Sequence, residues 1–273
     1  MSEPSLEGCR EKQRRGMKHL QDLDAAIAEW VSLETKPYRI SGEFRPDSRE
    51  YVFTGEMLKP LDDLLLWGVM FGDALHNLRS ALDHLVWELV RLNTGKDGST
   101  ANQFPICDTG AAYWSSGRKG EPSTRERCLR GVSDAHKALI DESQPYRTPT
   151  PPGATPGLSV FRELSNHDKH RLVHLTIFAV DFRSREEFDD MFIVNADAGE
   201  RIGTKLGPLP SEGEAEILAV EFSCPGPNPD VRMKHEPTLN VGIGKSRTRL
   251  NDFFLVGDEI AAIIETFAPD FPT

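Results

Sequence analysis

Residues 72–90 read GDALHNLRSALDHLVWELV, and this stretch decides the fold. It has no proline and no breaker after Gly72, so it predicts one uninterrupted helix. At about 100° per residue, one broad face is apolar and predicts a buried core. This face comprises Phe71, Leu75, Leu78, Leu82, Leu85, Val86 and Leu89. The other face carries short, hydrogen-bonding and titratable side chains, which suit a functional site or polar contacts: Asp73, His76, Asn77, Arg79, Ser80, Asp83 and His84.

The segments upstream of this stretch predict further helix and a hairpin. Residues 6–33 place apolar side chains at helical spacing. Residues 37–58 alternate apolar and polar side chains around Arg45-Pro46-Asp47-Ser48, which predicts a β-hairpin. The long helix itself should span about residues 61–92 and end at Asn93-Thr94-Gly95.

Downstream, the apolar period changes from helical to extended. Residues 158–170 predict another helix, and residues 251–267 predict the last one. Strand candidates lie between them at residues 172–182, 190–196, 215–223 and 238–243. We therefore predict an α+β fold. A helical bundle with the inserted hairpin should span residues 1–170, and an antiparallel sheet with the C-terminal helix should span residues 171–273, packed on the bundle as one unit.

Two segments between the helices carry weaker signals. Phe104-Pro105-Ile106 is a short apolar anchor. Residues 144–157, QPYRTPTPPGATPG, are rich in proline and glycine and predict an extended connector that crosses the surface.

Composition narrows the classes of function. The formal net charge of −11 over 273 residues argues against broad, charge-driven adhesion to nucleic acid or to anionic membranes, although a local basic patch stays compatible with it. The N-terminus is polar and no run of about 18 apolar residues occurs, so we expect a cytoplasmic protein without a membrane partner. Cys9, Cys107, Cys128 and Cys224 are scattered without a CxxC pair, which is typical of reduced thiols and not of a zinc site.

The densest chemical signal is Arg79-Ser80-Ala81-Leu82-Asp83-His84. An Arg, four residues and a His, with a polar residue directly after the Arg, resemble the signature of the HEPN superfamily. Many members of that superfamily are helical, metal-independent ribonucleases of toxin–antitoxin and antiviral systems. Ser80 stands where that family more often has Asn. The wider stretch GDALHNLRSALDHLVW also resembles a segment of bacterial proteins, and this second resemblance implies no activity.

The resemblance implies a homodimer in which two such helices form a composite site that cleaves RNA without a cofactor. His84 would be catalytic, because an imidazole can accept or donate a proton near neutral pH. Arg79 would bind the scissile phosphate through its planar guanidinium group. An antitoxin-like protein would be a fitting partner. The supporting residues on this helix would be Asp73, His76, Asn77 and Asp83.

A second polar cluster, Asn166-His167-Asp168-Lys169-His170-Arg171, lies at the end of the helix over residues 158–170. In a functional interpretation, Lys169, His170 and Arg171 form a basic patch beside the helix that contains residues 72–90. Asp168 would then pair with Arg79 and fix the direction of its side chain. In a structural interpretation, the cations only complement the negative end of the helix dipole.

The same residues are compatible with a non-catalytic protein. Arg79 and Asp83 are spaced to form an ion pair on one helix face, and His76 and His84 would be packed histidines. The chain would then be a helical module for dimerisation or for ligand binding. A metal-independent ribonuclease and a non-catalytic module are therefore the two functions that the sequence leaves open.

A metal site is a third interpretation. His76, Ser80 and His84 occupy successive helical turns, and His167 and His170 are three residues apart. The ExxH spacing of metal sites in helical bundles is absent, so we predict no metal.

Overall fold

The computed structural model describes residues 3–33, 36–46, 48–58, 63–116, 120–150, 155–169, 175–179, 192–194, 201–206, 210, 213–223, 231–233, 239–243 and 249–272. Within these residues the fold is α+β, as predicted. The first of two compact units comprises Met1–Asp24, Gly68–Val173 and Leu250–Thr273. The second comprises Ala25–Trp67 and His174–Arg249.

The helices are α1 Glu7–Val31, α2 Leu64–Thr94, α3 Gly110–Trp114, α4 Thr124–Cys128, α5 Asp134–Glu142, α6 Gly157–Asp168 and α7 Leu250–Thr266. Single 3₁₀ turns occur at Pro145–Arg147 and Ala268–Asp270. The apolar face predicted for α2 is confirmed, because each of its residues is at most 1% exposed. The helix ends before Gly95, whose φ of 67° is the left-handed conformation that terminates helices. None of the described helices is long and apolar enough to cross a membrane.

Helices α1, α2 and α7 share one core, and glycines allow them to approach closely. A Cβ atom on Gly16 of α1 would lie 2.7 Å from Cγ of Leu78 on α2. A Cβ atom on Gly257 of α7 would collide with Met17 of α1 in the same way. Phe71 of α2 and Phe253 of α7 meet edge to face with ring centroids 4.9 Å apart, a favourable aromatic geometry.

The second unit contains the predicted hairpin, formed by β1 Tyr38–Phe44 and β2 Glu50–Met57. Strand β2 also pairs with β6 Gly213–Phe222, and β6 pairs with β5 Arg201–Leu206. The result is an antiparallel sheet in the order β1-β2-β6-β5. Two further antiparallel pairs join β3 Leu175–Ala179 to β8 Leu239–Ile243 and β4 Phe192–Val194 to β7 Val231–Met233.

The units divide the chain differently from the predicted boundary at residue 170. The hairpin pairs with β6 and so belongs with the strands, whereas α7 belongs with the helices of the first unit. Both features depend on contacts between residues far apart in the chain, which local periodicity does not encode. Strands β5 and β7 were also not predicted, because β7 is very short and β5 contains Gly203. The packing of the two parts as one unit stays a prediction.

We expect Gly16→Ala to lower the free energy of unfolding by about 1–3 kcal/mol, the usual cost of overpacking a close contact. This loss should appear although Ala is the better helix former by about 1 kcal/mol. Urea unfolding measures the change. Gly110→Ala is the matched control, because the nearest atoms to its added Cβ lie 3.8 Å away. Equal stability of the two variants would contradict the close contact between α1 and α2.

Candidate functional site

Arg79 and Asp83 lie one turn apart on α2 and form an ion pair. Nη2 of Arg79 lies 3.0 Å from Oδ1 of Asp83, and Nε donates to Oδ2 at 3.2 Å. The Arg79 side chain is only 14% exposed, so this pair is more protected from solvent than an ordinary surface pair. The ion pair that the spacing of Arg79 and Asp83 predicts is thus present.

The same pair holds the backbone of Phe104. Nη2 of Arg79 donates to the Phe104 carbonyl oxygen at 2.7 Å, and the Phe104 N–H donates to Oδ1 of Asp83 at 2.9 Å. A buried backbone that lacks a neighbouring strand leaves both of these groups in need of partners. Helix α2 supplies them through two side chains. We call this arrangement of Arg79, Asp83 and the Phe104 backbone the clasp.

Other side chains hold the rest of residues 102–107 in a similar way. The Gln144 side chain is fully buried and donates to the Pro105 carbonyl oxygen at 2.8 Å. The Asn102 side chain donates to the Cys128 carbonyl oxygen at 3.1 Å. The apolar anchor expected from the sequence is therefore fixed by hydrogen bonds as well as by burial.

His84 contacts α1 instead of the anchor. Its Nε2 lies 3.4 Å from Oε1 of Glu88, and its Nδ1 is buried without a hydrogen-bond partner among the described residues. A Cβ atom on Gly8 of α1 would collide with the imidazole ring. Glu88 in turn accepts from the Ser5 N–H at 3.0 Å and from Arg91 at 2.8 Å. His84 is thus a packed component of the contact between α1 and α2.

Further polar side chains of α1 and α2 meet next to this contact. Lys12 of α1 donates to the hydroxyl of Ser80 at 2.6 Å. Cys9 is fully buried beside it, and burial, reinforced by Glu88, raises the pKa of the Cys9 thiol to about 12. A thiol with so high a pKa stays protonated at neutral pH and is a poor nucleophile.

Asp168 lies near the other end of the polar face of α2. A Cβ atom on Gly72 would lie 2.5 Å from Oδ1 of Asp168. Burial raises the pKa of Asp168, the Asp73 carboxylate raises it further, and His76 and His167 oppose the shift. The structure thus brings Asp168 together with Asp73 and His76 from the predicted site.

The predicted pairing of Asp168 with Arg79 is wrong for the described side chains. Gly72, which Asp168 contacts, precedes Arg79 by about two helical turns. Arg79 has its carboxylate partner in Asp83, on its own helix. A sequence pattern places both clusters on facing helices, but it does not fix the level at which the helices cross.

The remaining predicted site residues make local contacts or lie outside the described ranges. The Asn77 side chain donates to the Asp73 carbonyl oxygen of its own helix at 2.8 Å. Lys169 is exposed at the C-cap of α6. His170 and Arg171 lie outside the described residues.

Arg125 of α4 has an internal partner: it makes two hydrogen bonds of 2.8 Å to Asp141 and lies 4.8 Å from the ring centroid of Trp114. Within the part of the chain that the structure describes, no three His, Cys, Asp or Glu side chains are placed to hold a metal ion. Cys9, Cys107 and Cys128 are free and buried.

A polar pocket that the sequence did not indicate lies at the start of α6. It has a volume of about 490 Å³, and its lining includes Asp108, Tyr146, Thr148, Ser159, Arg162 and Glu163. Most of these residues belong to the segment predicted as a plain connector or to the helix after it. The sequence does carry one signal for this pocket: a group of threonines stands directly before the helix that carries Arg162 and Glu163.

No protein-family model, curated protein or solved structure is similar enough to this chain to count as a match. The geometry of the described residues is therefore the basis for the functional proposal below.

We expect Arg79→Ala to lower the free energy of unfolding by about 2–3 kcal/mol, because it leaves both Asp83 and the Phe104 carbonyl without their partner. Urea unfolding followed by circular dichroism measures the loss. Arg14→Ala is the matched control, since Arg14 pairs with Glu11 on α1 but is 66% exposed. It should cost at most about 1 kcal/mol. A loss no larger in Arg79→Ala than in Arg14→Ala would contradict the clasp.

We expect Asp168→Asn to raise the free energy of unfolding near neutral pH. The raised pKa means that the fold favours the protonated carboxyl, so its contribution is complete below the unfolded pKa of about 3.9 and is lost as the pH rises through the folded pKa. The gain in Asp168→Asn should therefore disappear in acid. Asp134→Asn is the control of opposite sign, because Lys137 holds the pKa of Asp134 below its usual value. Urea unfolding as a function of pH tests both, and a gain that persists in acid would contradict the assignment.

Proposed function

We propose that this chain is a non-catalytic α+β module that binds a small ligand, and that Arg79 and His84 have structural roles in it. The clasp is the observation that carries this proposal. The guanidinium group of Arg79 already uses Nε and Nη2 on Asp83 and on the Phe104 backbone. An arginine held in this way offers few donors in the right direction for a phosphate.

The surroundings of His84 favour the same conclusion. A general base needs a ring nitrogen that reaches the proton it removes. One ring nitrogen of His84 faces Glu88 and the other is buried against α1. The Asp83 carboxylate beside Arg79 would also repel an approaching phosphate, in keeping with the net charge of −11.

Ligand binding is the more specific part of the proposal. The pocket at the start of α6 has a volume of about 490 Å³, within the usual range of about 300–1,000 Å³ for small-molecule sites. Its lining contains none of the clasp residues. A scaffold that fixes α2 and the anchor by hydrogen bonds can hold such a pocket in one shape.

The ribonuclease interpretation, with its homodimer, RNA substrate and antitoxin-like partner, stays a prediction from the HEPN resemblance. For Arg79 to bind a phosphate in that mechanism, the clasp would have to open. The two functions therefore predict different behaviour of the same residues.

We expect the purified protein to leave single-stranded and structured RNA uncleaved above the level of a buffer control. Arg79→Ala and His84→Gln should behave identically in this assay, although Arg79→Ala should be less stable. Gel electrophoresis of labelled RNA measures cleavage. RNA cleavage by the wild-type protein that falls at least about tenfold in His84→Gln, with unfolding unchanged, would overturn the non-catalytic proposal in favour of the ribonuclease.

A further inference from the structure

The lining of the pocket at the start of α6 contains both hydrogen-bond donors and carboxylate acceptors. We propose that it binds a small zwitterion of the α-amino-acid class, with the ligand carboxylate at the start of α6 and the ligand ammonium group at the acidic residues of the lining. This inference rests on the ligand-binding role proposed above and names the class of ligand.

The donor side of the pocket begins with the helix itself. The first N–H groups of any helix lack intrahelical acceptors and carry the positive end of its dipole. Helix α6 has twelve residues, and its N-cap residue, Pro156, makes no side-chain hydrogen bond to them. A carboxylate is a suitable acceptor for such a helix start.

Two unpartnered side-chain atoms in the lining give an independent indication of a ligand. Ser159 is only 6% exposed, and its hydroxyl oxygen has no hydrogen-bond partner among the described residues. The Nε of Arg162 is also buried and unpartnered within the described ranges. Both residues line the pocket. Because unpartnered buried polar groups cost free energy, a ligand that accepts hydrogen bonds from Ser159 and Arg162 would stabilise the fold.

The charges around the pocket argue against a simple anion. Asp108 forms an ion pair with Arg162, and Glu163 also lines the pocket. These two carboxylates outnumber Arg162 and would repel phosphate or a nucleotide, but they accept an ammonium group. A ligand that carries both a carboxylate and an ammonium group matches this mixed lining.

The remaining lining suits the rest of such a ligand. The ring of Tyr146 offers apolar surface, and Thr148 offers a hydroxyl group. Pockets for small molecules commonly combine a few polar groups with apolar walls of this kind.

Titration of the full-length protein tests the proposal. Isothermal calorimetry and thermal unfolding would be recorded with each common L-amino acid in turn, and separately with acetate, ethylamine and inorganic phosphate. We expect at least one amino acid to bind and to raise the unfolding temperature. Acetate, ethylamine and phosphate should each bind at least about tenfold more weakly, because each carries only one of the two charges that the lining can bind.

Two serines on one helix provide matched variants. Ser159→Ala should weaken amino-acid binding about tenfold, the effect of losing one hydrogen bond to a charged group. It should leave the ligand-free protein at least as stable, because it removes an unpartnered hydroxyl. Ser165→Ala is the control, since Ser165 is 4% exposed, is likewise unpartnered among the described residues and is not part of the pocket lining. It should leave binding unchanged.

Three outcomes would overturn the inference: no binding of any amino acid, equal binding by Ser159→Ala and the wild type, or phosphate binding as tight as that of the amino acids. The RNA-cleavage assay is a separate readout. If neither RNA cleavage nor amino-acid binding occurs, the proposed non-catalytic role stands and the amino-acid ligand is ruled out. If the protein binds an amino acid and also cleaves RNA in a way that depends on His84, only the non-catalytic role is ruled out.

Discussion

The clasp is the interaction on which the first unit depends. Apart from the exposed Gln103, residues 102–107 are buried without a neighbouring strand, so their backbone groups need partners from side chains. Arg79 and Asp83 provide two of these partners at a single residue, Phe104. Because Arg79 and Asp83 also bind each other, neither can leave without exposing the other and the backbone together. The segment that leads from α2 to α3–α5 is fixed through this point.

The sequence predicts what is local. The apolar face of α2, the hairpin and the ion-pair spacing of Arg79 and Asp83 all follow from periods of a few residues. The third member of the clasp does not, because Phe104 lies 25 residues from Arg79. The pairing of β2 with β6 and the place of α7 in the first unit are hidden for the same reason. Periodicity shows which face of an element is buried, but not which distant segment buries it.

The polar face of α2 illustrates how neighbours decide the role of a residue. The sequence offered Arg79 and His84 as one constellation. The structure gives them different partners: Arg79 contacts the anchor, whereas His84 contacts Gly8 and Glu88. The pocket shows the converse case. Its residues, from Asp108 to Glu163, have no recognisable spacing in the chain, and they come together only because the turn at Pro145–Arg147 meets the start of α6.

The place of α7 in the first unit has a consequence for how the chain acquires its structure. Phe253 and Gly257 of α7 complete a core whose other walls, α1 and α2, lie within the first hundred residues. During synthesis, all strands of the second unit emerge before α7 does. Until then, Phe71 of α2 and Met17 of α1 have no covering helix, and closing the core requires a contact across most of the chain length. Such long-range closure is slow. We therefore expect the nascent protein to expose this apolar helical surface until α7 emerges, a state in which chaperone binding would protect against aggregation.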